Sequence, residues 1–381
     1  MLFWLGLVLL IVHGVIGLEI AFGSRKIAFL RDSGPIAAAA APAVSIIVAA
    51  RNEERHIRAA LQSLLALDYP RLEIIVVNDR SEDGTGRILD ELSAGDAQLA
   101  SVHVRQLPDG WLGKNHALWL GSGRASGELL LFTDADVVMA PQTLSRAVNY
   151  LHLENIDHLA VTPEARMPSL ALNMFGAAFG LFFGLFTRPW KAADPGSRCH
   201  IGIGAFNLVR ADVYRAVGGH KTIALRPDDD LKLGKIIKKA GFRQRLSYGT
   251  GLVFVEWYAS IRELVIGLEK NIFAGTDYRL WLAAVGVLFQ LVANLWPYLA
   301  LLVTSGATLA IYAAVVTVIS LVVADSARRH GFSPWYALGF PGTTLLFTFI
   351  IVRSVSCNLG RGGISWRGTF YPLSELRKNR V

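Results

Sequence analysis

The chain of 381 residues is 52% apolar and only 18% charged, with a mean hydropathy of +0.40, whereas a soluble domain is roughly 25% charged. That balance, with only two cysteines, excludes a disordered chain, a collagen-like repeat and a disulfide-stapled scaffold. The net charge of +8 does not mark a nucleic-acid binder: six of the eight charges come from residues 325–381, a basic tail beside apolar segments, which is a membrane-flanking pattern.

Residues 2–22 form an apolar stretch interrupted by His13 and Glu19, followed by Arg25, Lys26 and Arg31. It lacks the basic start and cleavage site of a signal peptide. It therefore predicts an uncleaved anchor over residues 1–22, with the following domain cytoplasmic. From residue 43 the pattern alternates. Short apolar strands are predicted at 44–49, 72–78, 101–105, 129–133 and 158–162, with amphipathic helices between them, such as 54–67. Strands alternating with helices predict an α/β, mostly parallel sheet with right-handed crossovers, whose ligands bind beyond the carboxyl ends of strands.

The residues at those strand ends are therefore the informative ones. The first strand runs into Arg51-Asn52-Glu53-Glu54, which reads either as a capped helix start or as ligand contacts. The second runs into Asn78-Asp79-Arg80-Ser81-Glu82-Asp83-Gly84-Thr85, where Asp79 suits a nucleoside and the rest suits turn chemistry. The fourth ends in Asp134-Ala135-Asp136. Two carboxylates at the end of a buried strand are hard oxygen ligands suited to Mg²⁺ or Mn²⁺, and Mg²⁺ typically takes one or two carboxylates plus substrate phosphates. Gly113-Lys114-Asn115-His116 lacks the glycine spacing of a P-loop, but a lysine opening a helix can face a diphosphate. His116 itself reads as structural. Asp228-Asp229-Asp230 precedes a basic amphipathic helix. Three adjacent acids exceed what capping needs, and mutual repulsion should raise at least one pKa, as suits a general base.

Two further apolar regions follow the pattern of membrane spans. Residues 169–187 are uncharged, with Gly176, Gly180 and Gly184 four apart. They are expected to form an interfacial helix, because a crossing would separate the acidic motifs on either side. Residues 280–324 contain no acid, lysine or arginine and suffice for two spans turning at Thr304-Ser305-Gly306, with a third over 335–352. The third span would leave the basic tail outside, unless the Gly339-Phe340-Pro341-Gly342 break makes it re-entrant. None of the three contains an ionisable residue, which argues against an ion-coupled transporter.

Taken in order, these motifs resemble a membrane-anchored family 2 glycosyltransferase of the GT-A fold over roughly residues 43–275. Asn52-Glu53, the 78–85 segment, Gly113 to Leu118, Asp134-Ala135-Asp136, Gly202-Ile203-Gly204-Ala205-Phe206-Asn207 and the acidic pair before Leu231 all carry the likeness. The resemblance implies a Rossmann-like sheet with helices on both faces, and a nucleotide-sugar site formed by Asn52, Glu53, Asp79, Lys114 and Asp134. It implies a divalent metal on Asp136 with Asp134, and Asp230 as base, with Asp229 in the alternative register. The Gln-x-x-Arg-Trp motif of processive synthases is absent from 261–275, which favours transfer of a single sugar. The overall plan, including the Trp366 to Tyr371 tail, is most similar to bacterial enzymes acting on hopanoid or carotenoid lipids.

The expected organisation is an anchor (1–22), a cytoplasmic catalytic domain (43–279), a C-terminal membrane region (280–355) and a basic tail (356–381), in a multi-pass protein of the cell (inner) membrane. The expected partners are a nucleotide-sugar such as UDP-glucose, a lipid acceptor and the membrane, with no nucleic acid. Two rivals are a polyprenyl-phosphate glycosyltransferase and a non-catalytic nucleotide-sugar-binding membrane protein.

Overall fold

The alternation of β-branched runs with amphipathic helices becomes an eight-stranded sheet in the computed structural model, which describes residues 1–381. The strands are β1 (Ala28–Phe29), β2 (Val44–Ala50), β3 (Leu72–Asp79), β4 (Leu99–Val104), β5 (Leu129–Asp134), β7 (His158–Thr162), β9 (Asn207–Arg210) and β10 (Gln244–Tyr248). Their order is β1-β10-β7-β9-β5-β2-β3-β4, and every neighbouring pair is parallel except the two made by β9. A smaller sheet joins β6 (Val137–Met139), β11 (Val253–Val255) and β8 (Glu164–Ala165). Helices α2 (Ile57–Leu65), α3 (Thr85–Gly95), α4 (Gly113–Ser122), α5 (Thr143–Leu153) and α9 (Asp229–Lys239) connect the strands, with short turns α7 (Ala211–Ala216) and α8 (Gly219–Thr222).

Both faces of this sheet are covered, which is why its strands are apolar throughout. Ile46 and Val48 enter one core beside Ile57, Leu61 and Leu64 of α2, while Ile47 between them enters another beside Leu130 and Phe132. Each fully buried aliphatic side chain contributes about 1.5–3 kcal/mol. The predicted helix 54–67 begins later, at Ile57, because the backbone at 52–54 is bonded to the loop after β3. The third predicted strand starts two residues earlier, at Leu99, whose buried side chain aligns with Ile74.

Contacts divide the chain into two units, an α/β unit (residues 27–164, 187–256 and 378–381) and a helical unit (1–26, 165–186 and 257–377). Residues 165–186 and 257–279 thus fall in the helical unit. The helical unit contains α1 (Leu2–Ser24), α6 (Leu170–Thr187), α10 (Ile261–Gly275), α11 (Leu280–Phe289), α12 (Trp296–Val303), α13 (Gly306–Arg329) and α14 (Phe340–Arg361). A π-helical stretch, Gln290–Leu295, joins α11 to α12.

Five helical stretches are long and apolar enough to cross a membrane: Leu2–Ser24, Leu170–Lys191, Leu280–Val303, Gly306–Arg329 and Pro334–Arg361. Glycines set their close approaches. At Gly17 a Cβ would stand 3.0 Å from Val322 of α13, and at Gly176 it would press on Phe332, the small-residue packing expected between membrane helices. The break at Thr304-Ser305-Gly306 is a turn, with Gly306 at φ +56°. Pro341 lies in the first turn of α14, where its missing N–H costs no helical bond. The tail forms a hairpin of β12 (Gly363–Trp366) and β13 (Thr369–Pro372), and Lys270 of α10 lies over the Trp366 ring at 3.8 Å.

Candidate active site

The register of the sheet brings the sequence motifs to one edge. Ala50 pairs with Asn78 and Ala49 with Asp134, so the carboxyl ends of β3 and β5 flank the end of β2 at matching height. Asn52 and Arg80 follow these ends in the left-handed region, at φ 55° and 57°. Asn52 Oδ1 accepts from Glu82 N at 2.8 Å, and Ser81 Oγ accepts from Asn52 N at 3.0 Å. Glu53 N donates to Thr85 Oγ1 at 2.8 Å. The strand-end loops are thereby laced together, and the carboxamide oxygen of Asn52 serves that lacing.

Asp79 is 3% exposed. Arg80 holds it through Nε–Oδ1 at 2.7 Å and Nη2–Oδ2 at 3.0 Å, and Arg51 Nη1 stands 3.7 Å from Oδ2. Gly113 opens α4 directly against this carboxylate, where any Cβ would overlap Asp79 Oδ2. The two arginines make this end of β3 cationic around one buried acid. Sequence inspection named Asp79 and passed over its two partners, although both arginines follow strand ends directly. His116, the next motif residue, is buried beside Trp111 and Trp119, and burial lowers its pKa so that it is neutral.

Lys114 joins the Asp134-Ala135-Asp136 motif to the aspartate triplet. Its Nζ lies 2.8 Å from Asp134 Oδ1 and 3.4 Å from Asp229 Oδ1. Burial alone would lower the pKa of this lysine, but the carboxylates of Asp134, Asp229 and Asp230 together raise it, so the ammonium stays charged. Asp230 accepts from Gly204 N at 2.7 Å through Oδ2 and from Leu231 N at 2.7 Å through Oδ1. Burial and then the charge of Asp229 push its carboxyl up to about 7. The expected repulsion within the aspartate triplet is therefore present, and it falls on Asp230.

Asp228, the remaining acid of the triplet, faces inward. Arg226, 1% exposed, grips it through Nε–Oδ1 at 2.9 Å and Nη2–Oδ2 at 3.0 Å, and Lys232 Nζ stands 3.4 Å from Oδ2. Asn115 pins the approach to this triplet by donating to the carbonyls of Ile223, Ala224 and Arg226. Its position directly after Lys114 was the sequence signal for it.

The Gly202-Ile203-Gly204 loop rests on the start of α9. A Cβ at Gly202 would overlap the Asp230 carbonyl oxygen, and one at Gly204 would stand 2.7 Å from Asp134 Oδ2 and 3.5 Å from Asp230 Oδ2. The neighbour at Gly202 is backbone and has no flexible end to yield. Gly202→Ala is therefore expected to destabilise the α/β unit by about 1–3 kcal/mol. Gly95→Ala, with nothing within 4 Å of the new methyl, should be nearly neutral, and thermal unfolding of the pair checks the contrast.

Asp136 is half-buried, and burial, then Asp134 and Glu53, push its carboxyl up to about 7. Like charges gathered this way favour an added cation. No group of three or more His, Cys, Asp and Glu side chains forms a ready metal site. Two neighbouring carboxylates, one of them raised by burial and by the other's charge, match the Mg²⁺ pattern of one or two carboxylates completed by phosphate oxygens, so the residues present fit a divalent ion shared with a diphosphate.

Residues 45–218 match Glycosyl transferase family 2. Over 343 residues the chain is 26% identical to a 4,4'-diaponeurosporenoate glycosyltransferase of Staphylococcus aureus (strain bovine RF122 / ET3-1), covering 87% of this chain and 89% of that one. The protein of the same name from strain USA300 is 25% identical over 340 residues with the same coverage. Mannosyltransferase PcManGT from Pyrobaculum calidifontis, solved in complex with GDP-Man and Mn²⁺, aligns with a TM-score of 0.57 at 20% identity, over 94% of this chain and 99% of its own. The α/β fold is thus GT-A-like.

Proposed function

We propose, for a chain that carries a glycosyl transferase family 2 domain, that it transfers a single sugar from a nucleotide-diphospho-sugar to a membrane lipid with inversion at the anomeric carbon. The observation that carries this reading is the convergence of Asp134 and Asp230, ninety-six residues apart, on Lys114 and Gly204 at one strand edge. A leaving diphosphate needs positive charge, and an attacking hydroxyl needs a base; here a charged lysine and a carboxyl with pKa about 7 stand together.

In the mechanism, Lys114 faces the diphosphate, and Asp134 fixes the lysine while lying beside Asp136. Asp134 and Asp136 would hold a divalent ion, Mg²⁺ or Mn²⁺, whose chemistry when bound is to neutralise charge on the leaving diphosphate. Asp79, with Asn52 and Glu53 at the neighbouring strand end, lies on the nucleoside side. Asp230 accepts the acceptor's hydroxyl proton as that oxygen bonds the anomeric carbon and the bond to the diphosphate breaks. An acceptor carboxylate, already ionised, would need no such proton transfer. Asp229, ion-paired to Lys114, orients the lysine.

The donor is proposed to be UDP-glucose or a close relative; PcManGT, solved with GDP-Man and Mn²⁺, supports a nucleotide sugar with a divalent ion. The acceptor is a lipid, a reading supported by the five membrane-length helices and by the diaponeurosporenoate relatives. The α/β unit is proposed to be cytoplasmic, a reading supported by Arg25, Lys26 and Arg31 following α1. Membranes containing the protein, given radiolabelled UDP-sugars, should move label into the organic phase. A chelator should stop this transfer, and Mn²⁺ or Mg²⁺ should restore it. Label that stays aqueous for every donor would reject a lipid acceptor.

A further inference from the structure

The chain returns to the α/β unit at Lys378. Residues 257–377 belong to the helical unit, but Lys378–Val381 belong to the α/β unit. Arg380 N donates to Lys378 O at 2.9 Å, a tight turn with Asn379 at its tip. The Asn379 carboxamide bonds twice to the segment that leads from α8 to α9. Its Oδ1 accepts from Leu225 N at 3.1 Å, and its Nδ2 donates to Thr222 O at 3.0 Å. Both partners are backbone groups with a fixed role, one donor and one acceptor, so the carboxamide has a single orientation. Val381 packs against the core cluster that contains Ile223 of the same segment and Leu233 and Ile237 of α9.

The 222–226 segment is also held by α4 and the residue before it. Leu112 N donates to the Ala224 carbonyl at 2.9 Å, and Asn115 Nδ2 donates to those of Ile223, Ala224 and Arg226. Lys114, beside Asn115, is the lysine that meets Asp229. Thr222 O and Leu225 N are not among the groups these residues take, and Asn379 takes both. Asp229 lies four residues beyond Leu225, and Pro227 between them stiffens the backbone. A shift of the segment would therefore be passed to the start of α9.

We propose that Asn379 is a positioning residue: by gripping Thr222 and Leu225 it holds the 222–226 segment against α4, and so sets Asp229 and Asp230 relative to Lys114. This role rests on the sugar-transfer reading, in which Asp230 is the base and Lys114 faces the diphosphate. Asn379 acts through the backbone of the segment, not on the substrate.

The test uses the full-length protein in nanodiscs and reads exchange and turnover separately. In Asn379→Ala the Leu225 amide loses its acceptor, so hydrogen–deuterium exchange there should quicken about ten-fold. In the same variant kcat for sugar transfer should fall about ten-fold. Nucleotide-sugar Kd should change by less than about two-fold, since Lys114 keeps Asp134. Asn379→Asp keeps the acceptor for Leu225 N and gives up the donor, and its kcat should lie between. Lys378→Ala, at an exposed neighbour, should match the unsubstituted protein in exchange and turnover. Unchanged exchange at Leu225 in Asn379→Ala overturns the proposal, and so does faster exchange with unchanged kcat. A kcat loss that vanishes once corrected for the folded fraction overturns it too. An unsubstituted protein that moves no sugar sinks the sugar-transfer reading, and with it the role of Asn379, whereas the exchange result reports on the grip by itself.

Discussion

Asp230→Asn in the full-length protein is expected to lose at least about 10² in turnover while nucleotide-sugar binding is retained. The carboxyl accepts from Gly204 N and Leu231 N, so the acid is fixed in place before any acceptor arrives. The isosteric amide keeps one of those acceptors but cannot take a proton. Burial and Asp229 raise the acid to about 7, which adds a pH signature. Below that value Asp230 is protonated and cannot serve as base, so kcat/KM should rise about ten-fold per pH unit up to about 7 and then level off. In Asp230→Asn this acid limb should be absent. Asp229→Asn separates the two registers: its carboxylate is spent on Lys114, so that variant should weaken donor binding while keeping the limb. Unchanged turnover in Asp230→Asn would return the base to another residue.

How much of this was legible in the sequence depends on the range of the interaction that fixes each feature. The strands of the parallel sheet were visible because they are buried on both faces and read as unbroken apolar runs, as in Leu129 to Phe132, with the acids beginning where burial ends. Asp134 and Asp136 were visible for the same reason, and the triplet because three adjacent acids exceed what a helix start needs. Their partners were not. Lys114 reaches Asp229 across 115 positions, and no local periodicity encodes that distance. Arg226 lies two residues from Asp228, yet nothing in the string distinguishes a bidentate buried pair from a solvated turn. Asn52 shows the opposite difficulty: a polar residue after a strand satisfies a neighbouring loop as readily as a ligand, and here its oxygen accepts from Glu82. Residues 165–186 belong to the helical unit for a reason composition could not give, since Gly176 and Gly180 meet Phe332 and His330 from at least 150 residues away.

The second large effect is on stability rather than chemistry. Arg226→Ala should destabilise the α/β unit by about 3–5 kcal/mol, because removing the two-point partner strips a buried carboxylate of most of its hydrogen bonds and leaves the Arg226 space empty. Asp228 would retain Lys232 at 3.4 Å, a single contact in place of a two-point grip. For a unit of about 210 residues, such a loss lowers the unfolding midpoint by about 6–20 °C. The pair was built at a desolvation cost that replacing both members removes, so Arg226→Met with Asp228→Leu should recover part of the loss, less what buried Lys232 gives up with Asp228. The double variant also separates folding from positioning. Asn115 holds the carbonyls of Ile223, Ala224 and Arg226 without help from the ion pair. If that clasp suffices to place Asp229 and Asp230, the double variant regains activity along with stability. If Arg226 is what aims α9, the midpoint returns and turnover does not. Thermal unfolding in detergent, paired with sugar transfer on the same samples, distinguishes the two.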